Sequence, residues 1–125
     1  MHILIIKEDD ANLSWISERL IESGFTANLI CVLPAEAVTL VRAIKFNLII
    51  YDVSMPGKAS AENVQKLIGE AKNVPVVVLS NSLENGVAHE TIKGAYDYII
   101  KDKLKSGIAA ECFSVLLSKY KLHYN

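Results

Sequence analysis

Four polar groups stand directly behind apolar runs. Lys7, Glu8, Asp9 and Asp10 follow "HILII"; Asp52, then Ser54, Met55 and Pro56, follow "LIIY". Ser80 and Asn81 follow "PVVVL", and Lys101 and Asp102 follow "YDYII". If a fold gathers these ends on one edge, carboxylates, a hydroxyl and an ammonium converge there. Ionised carboxylates so placed repel one another, and their pKa values rise unless a cation is held among them. Hard oxygen donors with positions left to water suit Mg²⁺. With Mg²⁺ present, Asp52 is a candidate nucleophile toward a phosphoryl group. The metal and Lys101 neutralise its oxygens, and Ser80 donates a hydrogen bond. That is phosphoryl transfer by positioning and charge.

The elements that must position these residues alternate along the chain. "HILII" reads as a buried strand, followed by a helical stripe at Leu13, Ile16 and Leu20 that stops at Gly24. "TANLICV" is the second strand. Pro34 opens a helix carrying Ala37, Leu40, Val41 and Ile44, at a first-turn position where its missing N–H costs nothing. "LIIY" is the third strand, and Ser60 is the predicted N-cap of a helix bearing Val64, Leu67, Ile68 and Ala71. "PVVVL" is the fourth strand and "YDYII" the fifth. A weakly amphipathic helix with Val87, Ala88 and Ile92 lies between them, and a last helix carries Ile108, Cys112, Val115 and Leu116.

Five βα units are therefore predicted. Strands one, three and four lack period-two alternation, as expected of a parallel sheet covered on both faces. Right-handed crossovers then give an α/β, doubly wound parallel five-stranded sheet. Its ligand site lies beyond the carboxyl ends of the strands.

Bulk composition narrows the classes. The 125 residues suit one domain, 1–125, and 51% hydrophobic with 22% charged residues is an ordinary globular balance. A net charge of −1 offers no nucleic-acid footprint and no membrane patch. Cys31 and Cys112 both sit in apolar surroundings, so buried thiols are expected, and His2, His89 and His123 are scattered without metal-ligand spacing. A reducing cytoplasm fits this pattern. The acidic turn follows the first strand too soon for a signal peptide, and no run is long enough to span a membrane.

Taken in order, "EDD", "LIIYDVSMPG", "PVVVLSNS" and "GAYDYIIKD" resemble the receiver domain of two-component response regulators. The resemblance spans nearly the whole chain. It implies a flavodoxin-like (βα)5 fold with strand order 2-1-3-4-5, and Mg²⁺ as cofactor. Asp52 looks like the phosphoacceptor, Asp9 the direct Mg²⁺ ligand, Glu8 the acid beside it, and the carbonyl of Ser54 a further ligand. Ser80 is similar to the switch hydroxyl, Lys101 to the phosphate-contacting lysine, and Tyr98 to the aromatic that turns inward on phosphorylation. The implied partners are a histidine kinase or phosphotransfer protein and a downstream protein. The downstream protein docks on the face of the fourth helix, fifth strand and fifth helix, with homodimerisation through that face left open.

The chain departs from the family pattern at several points. Counting back from Gly24 makes Lys7 and Glu8 the first pair, whereas the helical stripe favours Glu8 and Asp9, the pairing adopted here. Asn81 stands where a small residue is common and Ser60 where glycine is frequent. The segment from Ser80 to Lys101 is one residue short. Asp102 replaces the proline that usually follows the lysine. A cis bond before a non-proline residue costs roughly 3 kcal/mol, so a trans Lys101–Asp102 bond is expected.

Three functions compete. The first is a phosphoacceptor receiver that catalyses only its own phosphorylation and dephosphorylation. The second is a pseudo-receiver, an interaction module that is not phosphorylated, favoured by Lys7, Asn81 and Asp102. The third is a small enzyme or cofactor binder. It is disfavoured because the acidic loop after strand one would repel a flavin phosphate. A haloacid dehalogenase-type phosphatase would also want an aspartate where this chain has Ser54. Each residue also has a plainer reading. Aspartate favours turns, which would account for Asp52 alone. Acids at a helix start favour the dipole, which accounts for one or two of Glu8, Asp9 and Asp10.

Overall fold

The structure, a computed structural model, describes residues 2–8, 15–22, 28–53, 58–80 and 97–100. Continuous apolar runs become the strands β1 (His2–Lys7), β3 (Leu48–Asp52) and β4 (Val76–Ser80). Strands β2 (Asn28–Val32) and β5 (Asp97–Ile100) complete one parallel sheet in the order β2-β1-β3-β4-β5. The helices described are α1 (Trp15–Glu22), α2 (Pro34–Ala43) and α3 (Lys58–Glu70).

Burial on both faces of the central strands explains their missing alternation. Ile3 to Ile6, Leu48 to Tyr51 and Val76 to Leu79 are all at most 1% exposed. Leu4, Ile6, Ile49, Tyr51, Val76 and Val78 form one core with Ala37 of α2 and Val64 and Leu67 of α3. Ile3, Ile5, Leu48, Ile50, Val77 and Leu79 fall between them in sequence and are absent from that core. Successive strand residues point to opposite faces, so this second set belongs to the other layer. Ile16 and Leu20 of α1 are also fully buried and also absent from the first core. Helices therefore cover the sheet on two sides.

Pro34 occupies the first turn of α2 as expected, while Leu33 at the N-cap supplies no side-chain hydrogen bond. Ser60 is not the N-cap of α3. That helix begins at Lys58, so Ser60 lies inside its first turn. Lysine and alanine are good helix formers, and two of them before Ser60 let the helix start earlier. Cys31 is half-buried rather than buried, because β2 has a neighbour on one side only. The helix α3 is followed by Asn73 at φ 66°, a left-handed conformation that asparagine tolerates better than most residues.

The end of the sheet opposite the predicted site is cross-tied. The His2 N–H donates to Asn47 Oδ1 at 2.8 Å, and the Asn47 N–H returns to the His2 carbonyl at 2.8 Å. Nearby, α2 and α3 are joined by Arg42, whose Nε and Nη2 reach Glu70 at 3.0 and 2.8 Å. The hydrogen bond from Arg42 holds the Glu70 carboxyl below its usual pKa. A depressed carboxyl pKa adds stability above the unfolded value, and that gain is lost as pH falls through the folded value. Glu70→Gln should therefore be less stable than the parent at neutral pH. Urea midpoints measured down a pH series should converge once the solution is more acidic than the glutamate range.

Candidate functional site

In the order 2-1-3, the helices that follow β1 and β3 lie on opposite faces of the sheet, and the crevice between the carboxyl ends of these two strands is the switch point. Asp52 is the last residue of β3 and sits at that crevice. Its register partner on β1 is Lys7, and on β4 it is Leu79. The ladder continues one residue further, with the Val53 N–H donating to the Leu79 carbonyl at 2.9 Å. Asp52 is thus held by a central strand and is only 3% exposed, one of two buried polar residues among those described.

The other predicted residues divide into two groups. Glu8 follows β1 directly and is half-buried, on the same edge as Asp52. Ser80 closes β4, one position beyond the partner of Asp52, and pairs with Ile100 of β5. Tyr98 lies in β5 opposite Val78, two residues short of that edge. The structure therefore brings the backbone positions of Lys7, Glu8, Asp52 and Ser80 to one edge. Asp9, Ser54 and Lys101 lie outside the described residues, as do Asp10, Asn81 and the Lys101–Asp102 bond.

Metal chemistry at this edge can be judged from its donors. Asp52 and Glu8 both offer carboxylate oxygen, and among the described residues no histidine or cysteine accompanies them at the strand ends. That donor type fits Mg²⁺ rather than a softer ion. Among the described residues, no three histidine, cysteine, aspartate or glutamate side chains cluster as a ready-made metal cage. Asp52 and Glu8 would therefore hold only part of a coordination sphere, as is usual for Mg²⁺, which keeps several waters.

The sequence pattern places Tyr51 only in an apolar run, and the structure gives it more weight. It precedes Asp52 and therefore faces the opposite side of the sheet, in the core under α2 and α3. Its side chain is 1% exposed, and its hydroxyl is buried with no hydrogen-bond partner among the described residues. Burial pushes the phenol pKa well above the ordinary range, and the nearby Glu8 carboxylate adds to the rise. The hydroxyl therefore stays protonated. A buried hydroxyl left unpaired costs about 1–3 kcal/mol. Tyr51→Phe is accordingly expected to hold or raise the urea midpoint with an unchanged slope; a drop above about 1 kcal/mol would show that the hydroxyl is bonded in solution.

The family model for the response regulator receiver domain matches residues 3–111. The transcriptional regulatory protein MalR of Bacillus subtilis (strain 168) is 30% identical over 121 residues, covering 94% of this chain and 49% of MalR. The chain thus spans about half the length of the curated relatives it matches. Among solved structures, the receiver domain of NtrC4 from Aquifex aeolicus superposes with a TM-score of 0.65 at 20% identity, covering 95% of this chain and 94% of that one. The receiver domain of the sensor histidine kinase PA1611 from Pseudomonas aeruginosa PAO1 superposes at 0.65 and 18% identity, covering 96% and 97%. That domain holds a magnesium ion in its active-site cleft. Similarity at this level of identity establishes the fold.

Proposed function

Because the chain belongs to the receiver domains of two-component response regulators, we propose that Asp52 is its phosphoacceptor. One observation carries this reading. A carboxylate 3% exposed stands at the carboxyl end of a central strand, at the switch point of a 2-1-3-4-5 sheet. A turn aspartate of no consequence would sit in solvent, whereas this one is fixed by pairing on both sides.

The chemistry assigned to Asp52 is attack of a carboxylate oxygen on the phosphorus of a phosphohistidine or a small phosphodonor. The donor nitrogen or oxygen leaves with its electron pair. The backbone ladders on either side of β3 orient the nucleophile. Glu8, Asp9, Asp52 and the Ser54 carbonyl would hold Mg²⁺, which supplies charge neutralisation at the phosphoryl oxygens. Lys101 would contact the phosphoryl group. Ser80 and Tyr98 would pass its presence to the face built from the fourth helix, β5 and the fifth helix.

The partners implied are a histidine kinase or phosphotransfer protein upstream and a protein surface downstream. Relatives such as MalR are transcriptional regulators about twice the length of this chain. In a protein of that kind, residues 1–125 would be the single receiver unit controlling the remaining half. Among the described residues, no helix is long and apolar enough to cross a membrane.

The register of Lys7 against Asp52 favours a second reading, a pseudo-receiver in which a cation stands level with the aspartate. Intact-mass measurement after incubation with a small phosphodonor and Mg²⁺ separates the two. A single added phosphoryl group supports the phosphoacceptor. No addition, under conditions that label another receiver domain, supports the pseudo-receiver.

A further inference from the structure

We propose that Lys7 is a built-in counter-charge to Asp52 that weakens divalent-cation binding at this strand tip. Lys7 and Asp52 are Cα partners on adjacent parallel strands. Paired residues on parallel strands share a face of the sheet, and such strands run about 4.8 Å apart. A lysine stem reaches across that gap. Of the two register partners of Asp52, Leu79 is apolar and Lys7 carries the charge.

Burial sharpens the effect. Asp52 is 3% exposed, so water does little to disperse its charge. Lys7 is half-buried, which reduces screening of the ammonium by salt. The next residue, Glu8, lies just beyond the end of β1, near Tyr51. The Glu8 carboxylate contributes to the raised pKa of that phenol. The residue level with Asp52 on the neighbouring strand is thus a cation, and the acid comes one position later.

By Coulomb's law, a unit positive charge held about 6 Å from a divalent cation would disfavour it about tenfold even at the dielectric constant of water. Lys7 acts through charge on Asp52 and its metal, and is a positioning residue in that sense. The inference rests on Asp52 being the acidic centre of the proposed site.

Calorimetric titration with MgCl₂ at low ionic strength tests it on the parent, Lys7→Met, Lys7→Arg and the double variant Lys7→Met with Asp52→Asn. Lys7→Met should bind Mg²⁺ about tenfold more tightly than the parent. Lys7→Arg should keep the parent's affinity, and the double variant should lose the gain. Equal or weaker binding by Lys7→Met overturns the inference, as does a gain that survives loss of the Asp52 carboxylate or no binding by any variant. If Lys7→Met does not fold, Lys7→Gln removes the same charge with a polar side chain and is held to the same outcomes. Phosphodonor labelling of the parent distinguishes the two readings. Labelling with unchanged Mg²⁺ affinity would leave Asp52 as phosphoacceptor and remove Lys7 from the account. Tightening without labelling would do the reverse.

Discussion

Ile50→Ala is expected to lower the unfolding free energy by about 2–5 kcal/mol, a large share of the about 5–15 kcal/mol typical of a domain. Ile50 is fully buried in β3, with fully buried Ile5 and Val77 as register partners on either side. Both neighbours are anchored in their own strands, so they cannot collapse into the space left by the removed carbons. Lost transfer energy and a residual cavity therefore add. The check is the urea midpoint at constant slope. Ile21→Ala serves as a control. Ile21 is 64% exposed on α1, and its loss should change stability by no more than about 0.5 kcal/mol. Equal effects at the two positions would mean that the packing described for β3 is wrong.

The second large effect is chemical. Asp52→Asn should abolish phosphoryl addition, because a neutral amide cannot act as the attacking carboxylate. The substitution is nearly isosteric, and Asp52 is held through backbone pairing to β1 and β4. The fold is therefore expected to survive. Intact mass after phosphodonor treatment should show no gain, while far-UV circular dichroism matches the parent. Addition persisting in a folded variant would move the acceptor elsewhere, with Glu8 and Asp9 as the next carboxylates to examine.

The parts legible in the sequence are those governed by local pattern. Ile3 to Ile6, "LIIY" and "VVVL" announce strands buried on both faces, because each run lacks any charged residue for water to meet. Asp52 and Ser80 could be placed at strand ends from the same runs, though both prove to be the last residues of their strands rather than the first beyond them. Less legible features depend on which strands become neighbours. Cys31 looks buried in "LICV", yet β2 is an edge strand and leaves it half-exposed. The pairing of Lys7 with Asp52 joins residues far apart in sequence, and no spacing rule reveals it. The Tyr51 hydroxyl was hidden for a similar reason. Burial of the ring was foreseeable, but whether a donor or acceptor would meet its oxygen depends on the layer above it.

The place of β1 in the sheet also bears on how the chain is made. This strand lies between β2 and β3, yet its pairing with β3 must wait for residues 45 positions downstream of His2. A ribosome adding about 5–20 residues per second needs roughly 2–9 s to supply them. Throughout that interval, the edge of β1 destined for β3 stays open along Ile3, Leu4, Ile5 and Ile6, with no charge to discourage a passing strand. A segment that is fully buried in the finished sheet is thus among the most exposed during synthesis. Aggregation in the cell should accordingly track translation speed between β1 and β3 more closely than it tracks the stability of the folded protein.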